Sequence, residues 1–283
     1  LPRAAAENEP NHAAVDAARS QRHAGAVPVT LVERYQASGP GFFFDRGALR
    51  TLAIERRAAY RDARPYPHAV FDDFLGEPHR SALFAALPSP EHTGFARRDY
   101  PEQRARLGQL SRTGFVGLEP PLRWFLAELS SMAFLDFLGT LTEQQGLIPD
   151  PHFRSAGLSL TLPGGHLALH ADFNRDRSRH LARVVTVLYY LGLGWRPEWG
   201  GDLELWNDPP TRCEARYAPV LDRLIVMAHG DTYWHGHPAP LAFPPDRFRA
   251  VITSYYYVAP PTQADEDAHS AIWIAAPPDT PAD

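Results

Sequence analysis

In the first half of the chain, apolar residues at helical spacing alternate with segments that proline interrupts. Residues 47–63 have helical composition and precede the two prolines of RPYPH, so we predict a helix that ends there. A short strand over 69–75 and a helix over 77–88, with Pro78 in its first turn, are predicted next. This part of the chain is therefore expected to be mainly helical.

The middle of the chain combines an arginine-rich segment with a strongly apolar one. Residues 89–118 are polar, and we expect them to be irregular. Over 120–146, apolar residues recur at helical spacing, which predicts two helices that are broken near Ser130 and Ser131.

After Pro149 the pattern changes to short segments rich in β-branched and aromatic residues, which Gly, Pro and Asp separate. Runs such as VVTVLYYL are too continuously apolar for a sheet with one face in water, and they favour a packed sandwich or jelly roll. We expect an α+β fold in which the helices buttress the outer face of this β-rich half.

The pattern predicts four regions along the chain. An N-terminal arm and helix occupy residues 1–60, a helical support region 61–149, the β-rich core 150–275 and a short tail 276–283. We expect the support region and the core to form one compact unit.

Composition excludes several classes of function. The 283 residues carry 28 basic and 33 acidic groups, a net charge of −5, so neither nucleic acid nor a membrane surface is an expected partner. No apolar run is long enough to span a bilayer and the first residues lack the apolar segment of a secretory signal, so we expect a cytoplasmic location. All basic residues are arginine, which excludes a lysine Schiff base and a Walker A loop. The single cysteine, Cys213, allows no intramolecular disulfide and no multi-cysteine metal site.

A candidate metal site begins in HLALHADFN, residues 166–174, where His170 and Asp172 are two positions apart. Side chains alternate along a strand, so these two share a face and could ligate one metal. The third ligand must come from elsewhere, and GDTYWHGHPAP offers His235 and His237, which have the same strand parity. Two histidines and a carboxylate form the facial triad of non-haem iron(II) oxygenases, and the same set also suits zinc. The alternative for the His-x-Asp pair alone is two polar residues on the wet face of a strand.

Four blocks of the β-rich half resemble the iron(II)- and 2-oxoglutarate-dependent dioxygenases of the prolyl-hydroxylase type. Between about Asp150 and Val258 they follow one another as GGHLALHADFN, RVVTVLYYLGLGWRPEWGGDLELWN, DRLIVMAHGDTYWHGHP and RFRAVITSYYYV. The resemblance implies a double-stranded β-helix, or jelly-roll, core. It also implies that His170, Asp172 and His235 are the iron ligands.

In the resembling proteins the distal histidine follows the DRL strand and a short turn, which favours His235 over His237 as the third ligand. His166, which shares strand parity with His170, is expected to be a polar residue near the barrel mouth, and His229 is expected to be structural. Arg183 and Arg223 are also expected to be structural, by pairing with Asp172 or a neighbouring acid.

The resemblance also implies a pocket for 2-oxoglutarate. Arg249 would form the salt bridge to its distal carboxylate, and Tyr190 would donate a hydrogen bond to the same group. A dicarboxylate buried in a barrel needs a cation, and arginine offers a planar, permanently charged fork. A gap longer than usual before this arginine leaves Arg247 as an alternative, and a shift of one residue in register would exchange Tyr190 with Tyr189.

The implied function is a dioxygenase that uses Fe(II), 2-oxoglutarate and O2, with ascorbate added in vitro, to hydroxylate a C–H bond and release succinate and CO2. The carboxylate of Asp172 favours hydroxylation over halogenation, and it leaves desaturation and ring formation open. The substrate is expected to be a small molecule or a peptide: an amino acid, a peptidyl residue or a natural-product intermediate. Arginines are frequent in 89–118 and again just after the predicted ligands, so an anionic substrate group fits, with Asn174 and Arg175 as candidate contacts. The sequence leaves the oligomeric state open, a homodimer included.

Two rival functions would use the same residues. A zinc-dependent hydrolase is one, although the β-rich half, Arg249 and the lack of an evident general base argue against it. A non-catalytic cupin-like binding module is the other, and it has no need for three intact ligands. A visible charge-transfer band that depends on 2-oxoglutarate is expected only for the oxygenase.

Overall fold

The computed structural model describes residues 42–109, 117–153, 156–260 and 267–277. Most of the predicted N-terminal arm, and the tail beyond residue 277, lie outside these described residues.

The helices of the described chain confirm those that the spacing of apolar residues predicts in its first half. The first helix begins after Asp45, whose Oδ1 accepts a hydrogen bond of 2.7 Å from the backbone N–H of Ala48. The predicted break near Ser130 and Ser131 is confirmed, because Ser131 caps a new helix by accepting from the N–H of Phe134. The four described helices are α1 (Arg46–Asp62), α2 (His79–Ala85), α3 (Pro120–Glu128) and α4 (Met132–Thr142).

Thirteen strands form one antiparallel sheet that curls into a half-barrel, which confirms the predicted jelly-roll core. The strands are β1 (His68–Phe71), β2 (Phe95–Tyr100), β3 (Gln103–Gln109), β4 (Ile148–Pro149), β5 (Gly157–Ala171), β6 (Arg175–Asp176), β7 (Leu181–Tyr190), β8 (Leu203–Trp206), β9 (Cys213–Tyr217), β10 (Leu224–Ala228), β11 (His235–His237), β12 (Arg249–Val258) and β13 (Ile272–Ile274). Along its main path the order is β1-β10-β7-β12-β5-β11-β8-β9, and β3 and β13 also pair with β5. The long β5 is therefore the strand that most of the half-barrel shares.

The expectation of an irregular segment over 89–118 is wrong for its central part. β2 and β3 form an antiparallel hairpin, and β3 pairs in turn with β5. The hairpin was missed because its sequence, FARRDYPEQRARLGQ, carries charged residues where a strand usually shows apolar ones. Residues 110–116 lie outside the described part of the chain.

The two halves of β5 have different partners, and this arrangement positions the site. Its first half pairs with β12, with Thr161 opposite Arg249. Its second half pairs with β11 and β13, with His170 opposite both His235 and Trp273. The end of β5 thus brings segments that are distant in sequence to one place.

The core lies between the helices and the outer face of the sheet. Alternation along β7 turns Tyr189 toward the helices, where its ring lies 4.7 Å from that of Phe125. From β12, Tyr256 donates a hydrogen bond of 2.7 Å from its hydroxyl to the carbonyl of Leu129. The opposite face of the same strands is therefore free to line a cavity.

Residues 42–283 cluster as one unit by their internal contacts. The finer boundaries after residues 60 and 149 remain predictions. Among the described helices, none is by itself long and apolar enough to cross a bilayer; α3 and α4 meet that criterion only as a pair, bent by 48°.

Candidate metal and cosubstrate site

Three side chains with metal-ligating atoms meet where β5 and β11 pair. His170 and Asp172 come from the end of β5 and the residue after it, and His235 opens β11 directly opposite His170. Their ligating atoms all lie within 4.8 Å of one another. The structure thus brings together the three residues that were predicted as ligands.

Both histidines are oriented by a backbone carbonyl at Nδ1, which leaves Nε2 as the ligating nitrogen. Nδ1 of His170 lies 2.9 Å from the carbonyl of Ala168, and Nδ1 of His235 lies 2.9 Å from the carbonyl of Tyr233. A carbonyl can only accept, so each Nδ1 carries the proton and each Nε2 keeps a lone pair. The Nε2 atoms lie 3.7 and 3.9 Å from the carboxylate oxygens of Asp172. This donor set, two neutral imidazoles and one carboxylate, suits a divalent transition metal.

The electrostatics of the site keep it ready for a cation. Burial, aided by the nearby His235, lowers the pKa of His170 to about 3, so its imidazole is neutral. Burial works against the charged form of Asp172, but the attraction of the Arg183 guanidinium outweighs it and holds the pKa below its usual range. The carboxylate therefore stays ionised.

Arg183 orients Asp172 from behind. Its Nη1 lies 2.7 Å from Oδ2 of the carboxylate, and the side chain is fully buried. The guanidinium lies between two aromatic rings, 3.5 Å from the centroid of Phe173 and 3.5 Å from that of Tyr255. Its predicted pairing with Asp172 is present. Arg223, by contrast, pairs with Asp72 on β1's side of the sheet, at 2.5 Å.

A cavity of about 180 Å³ opens in front of the three residues and extends to Arg249 and Tyr190. Arg249 is 4 % exposed. Its Nη2 donates to the hydroxyl of Tyr190 at 3.2 Å, and its Nε donates to the carbonyl of Gly201 at 2.8 Å. Both acceptors are neutral, so the charge of Arg249 has no carboxylate partner among the described residues.

The structure separates the two pairs of alternatives. Arg247 lies in the turn before β12, with its guanidinium 5.9 Å from the Trp199 ring, outside the cavity. Tyr189 faces the helices, and its hydroxyl donates to Oδ1 of Asp222 at 2.8 Å. Arg249 and Tyr190 are the members of each pair that line the cavity.

The other histidines have different surroundings. His237 lines the same cavity, is buried, and has a pKa well below its usual value because of burial and of the nearby Arg249. It does not belong to the group of three ligating atoms. His166 lies outside the cavity with Nε2 at 3.0 Å from the carbonyl of Pro101, and His229 approaches Asp231 at 3.9 Å.

The predicted substrate contacts Asn174 and Arg175 do not line the cavity. The amide of Asn174 donates to the carbonyl of Asp267 and accepts from the N–H of His269, so it holds the segment before β13. Arg175 belongs to β6, which pairs with β7. Their role toward a substrate stays a prediction.

Besides the predicted residues, the cavity is lined by others that include one tryptophan and three polar side chains of the β2–β3 hairpin. Trp273 of β13 covers the first ligand position, with its ring 4.7 Å from that of His170. Arg98, Gln103 and Arg106 reach the cavity from the β2–β3 hairpin. The clustering of arginines in this segment was the available signal, but a strand was needed to direct two of them inward.

A jelly-roll half-barrel whose cavity contains two histidines, a carboxylate and a buried arginine defines the class of protein, a non-haem oxygenase. In agreement, residues 156–257 match the family model described as the 2OG-Fe(II) oxygenase superfamily. The matched residues include the three candidate ligands, Tyr190 and Arg249.

Two solved structures, both prolyl 4-hydroxylases, show the same fold at low sequence identity. A prolyl-4-hydroxylase from Pseudomonas putida is 19% identical, with a TM-score of 0.52 over 74% of this chain and 99% of that one. A prolyl 4-hydroxylase from Phytophthora capsici is 21% identical, with a TM-score of 0.51 over 80% of this chain and 75% of that one. HygX from Streptomyces hygroscopicus, solved with nickel, 2-oxoglutarate and hygromycin B, is 14% identical, with a TM-score of 0.48 over 72% of this chain and 86% of that one.

Proposed function

We propose that this oxygenase hydroxylates a C–H bond of an amino acid, a peptidyl residue or a natural-product intermediate, with Fe(II) and 2-oxoglutarate. One observation carries the proposal. A single cavity holds His170, Asp172 and His235 at one end, and at the other a buried arginine, Arg249, that has no carboxylate partner among the described residues. The first set fits a divalent metal, and the second fits the distal carboxylate of 2-oxoglutarate.

When bound, Fe(II) supplies the activation of O2, coupled to the decarboxylation of 2-oxoglutarate, so that one oxygen atom enters succinate, the other enters the new hydroxyl of the substrate, and CO2 leaves. The residues of this chain bind and orient. The histidines offer their Nε2 lone pairs, and Arg183 keeps Asp172 ionised and fixed. Arg249 and Tyr190 hold the cosubstrate from the far side of the cavity, and Trp273 shields His170 from water.

The nature of the substrate is the part to be found by experiment. Two solved structures of this fold are prolyl 4-hydroxylases by name, so a prolyl residue is among the first substrates to test. An acidic amino acid or metabolite is the other, because two arginines of the β2–β3 hairpin line the cavity.

The decisive experiment measures succinate formed from 2-oxoglutarate with added Fe(II) and ascorbate, in the absence of a prime substrate. Wild type is compared with His170→Ala and with the control His166→Ala, which removes a histidine of the same strand that lies outside the cavity. We expect slow iron-dependent turnover in wild type and the control, and none in His170→Ala. Equilibrium binding of 2-oxoglutarate to the metal-loaded proteins is measured in parallel. A wild type that neither turns over nor binds 2-oxoglutarate would remove the proposal and favour a zinc enzyme or a binding module.

A further inference from the structure

One row of residues crosses four neighbouring strands of the half-barrel. Arg98 of β2 lies opposite Arg106 of β3. Arg106 lies opposite Thr161 of β5, which on its other side lies opposite Arg249 of β12. Residues directly opposite in antiparallel strands project from the same face of a sheet. The three arginines of this row accordingly all line the cavity that contains the candidate metal ligands.

The pair from the hairpin lacks compensation within the described protein. Like charges directly opposite on paired strands repel each other. Arg106 donates only to neutral acceptors, Oε1 of Gln103 at 3.1 Å and Oγ of Ser159 at 3.3 Å. Burial lowers its pKa to about 10, and the charges of Arg98 and Arg249 act in the same direction. Neither Arg98 nor Arg106 forms an ion pair with any described carboxylate.

The next residue along β2 shows the contrast. Arg97 points to the opposite face of the hairpin, is exposed, and pairs with Asp99 at 2.7 Å. The uncompensated charge is therefore a property of the face that looks into the cavity, and not of the hairpin as a whole.

The charges in the cavity do not balance. Among the described residues that line it, three arginines stand against one carboxylate, Asp172, an excess of two positive charges. A divalent metal and doubly charged 2-oxoglutarate would cancel each other and leave this excess unchanged. An uncompensated pair of cations in a partly buried cavity is costly unless an anion binds there.

The hairpin pair is separate from Arg249. Neighbouring strands lie about 4.8 Å apart, so the backbone of Arg106 is roughly 10 Å from that of Arg249 across the sheet, and the backbone of Arg98 is farther still. Arg106 also lies near the candidate ligands, since its charge acts on His170. The hairpin pair therefore adds cationic groups to the cavity from strands other than the one that carries Arg249.

We propose that Arg98 and Arg106 form a binding subsite for an anionic group of the prime substrate, a carboxylate or a phosphate, beside the candidate metal ligands. The inference rests on the proposed function and deepens it, because it narrows the class of substrate to molecules that carry a carboxylate or a phosphate. Guanidinium groups bind such oxyanions through paired hydrogen bonds, and two of them in register offer four or more donors. The anion anchors the substrate on the hairpin, and the C–H bond to be hydroxylated lies on the part that extends toward the ligands.

The test uses inorganic phosphate and acetate as probes of the two chemistries. Enzyme is loaded with Mn(II) and saturated with 2-oxoglutarate, and the paramagnetic relaxation of the phosphate 31P and of the acetate methyl protons is measured as each probe is titrated. Because this relaxation falls steeply with distance from the metal, it reports binding beside the metal site. We expect saturable enhancement for at least one probe, and the stronger of the two identifies the anion.

Three variants are compared with wild type: Arg106→Gln, Arg98→Gln and the control Arg97→Gln. Loss of a charged donor to an anion predicts a probe dissociation constant about tenfold or more higher for the first two variants, and no change for the control. Arg98→Lys keeps the charge without the fork, and it is expected to fall between Arg98→Gln and wild type. This variant, together with thermal unfolding of each protein, separates loss of the subsite from loss of the fold.

Three results would overturn the inference. The first is a wild type that binds 2-oxoglutarate but neither probe. The second is equal probe binding by wild type and by both glutamine variants. The third is a weakening of 2-oxoglutarate binding in Arg106→Gln by the same factor as the probe, which would assign Arg106 to the cosubstrate. Failure of the wild type to bind 2-oxoglutarate at all would instead reject the proposed function.

Discussion

Replacing Arg249 with methionine removes the buried cation at the far end of the cavity and keeps most of its volume. In the protein without cosubstrate, this guanidinium donates only to the carbonyl of Gly201 and the hydroxyl of Tyr190. Losing two hydrogen bonds from a charged donor costs about 3–6 kcal/mol, and removing an uncompensated buried charge, whose desolvation penalty is also several kcal/mol, offsets that cost. The thermal stability of the apoprotein should therefore change little.

The effect on 2-oxoglutarate should be large. Truncating one partner of a buried, hydrogen-bonded charge pair costs about 2–5 kcal/mol. At 1.4 kcal/mol for each factor of ten, the dissociation constant of 2-oxoglutarate should rise roughly 30-fold to several thousand-fold. Tyr190→Phe removes a neutral donor to the same carboxylate, about 1.5–3 kcal/mol, and should raise it roughly 10- to 150-fold.

The assay titrates 2-oxoglutarate into anaerobic Fe(II)-loaded protein and follows the visible charge-transfer band, with thermal unfolding of the metal-free protein in parallel. Arg247→Met is the matched control, since it removes an arginine two residues away that lies outside the cavity. The reasoning is refuted if Arg249→Met binds 2-oxoglutarate within threefold of wild type. It is also refuted if the control loses binding instead, or if Arg249→Met chiefly destabilises the apoprotein, as a purely structural residue would.

Three further changes test the surroundings of the site. Arg183→Met leaves Asp172 buried without its cation, so the free energy of unfolding by urea should fall by about 3–5 kcal/mol. The fraction of metal retained on dialysis should fall as well, and unchanged retention would contradict the role of Arg183. Gly201→Ala adds a Cβ that clashes with Leu241 at a residue whose φ is +81°, so the free energy of unfolding should fall by about 1–3 kcal/mol. Because the carbonyl of Gly201 accepts a hydrogen bond from Arg249, the KM for 2-oxoglutarate should also rise. An unchanged KM would separate this turn from the cosubstrate pocket. Burial, partly offset by a backbone hydrogen bond, lowers the pKa of His68 below 6.5. Its contribution to stability is therefore fully present above pH 6.5 and is lost as the pH falls below that value, so the stability difference between wild type and His68→Gln should shrink from pH 7.5 to pH 5.5. A constant difference would show that His68 titrates normally.

The alternation of polar and apolar residues along β5 made the candidate ligands predictable. No such alternation marks the end of β7, so the sequence left the choice between Tyr189 and Tyr190 open. His170 and Asp172 are polar residues two apart in an apolar run, so their common face follows from the sequence alone. Tyr189 and Tyr190 belong to a strand buried on both faces, where the polar residues Arg183 and Thr186 have opposite parity and so do not mark one inward side. Only the pairing of β7 with β12 decides that Tyr190 is the inward one.

The missed elements depend on contacts that are distant in sequence. β13 has three residues, too few for a periodic signal, and it forms because the end of β5 offers an unpaired edge. The β2–β3 hairpin has charged residues on both faces, Arg97 outward and Arg98 and Arg106 inward, so it lacks the usual pattern of apolar-in and polar-out. A local reading of such a segment predicts a loop. What directs Arg106 inward is its register against Thr161, and the sequence of the hairpin alone does not contain that information.

The division of the cavity between two sets of strands has a consequence for specificity. The candidate ligands and Arg249 lie on β5, β11 and β12 or directly beside them, and these strands pair with one another in the body of the half-barrel. Arg98 and Arg106 come from a hairpin that reaches the same cavity through the pairing of β3 with β5. A substitution in the hairpin can therefore change which anion is held without moving a metal or cosubstrate residue, while a substitution on β12 alters cosubstrate binding for every substrate. Two arginines on the inward face of the hairpin, unfavourable for an isolated strand pair, are what the proposed anion subsite requires.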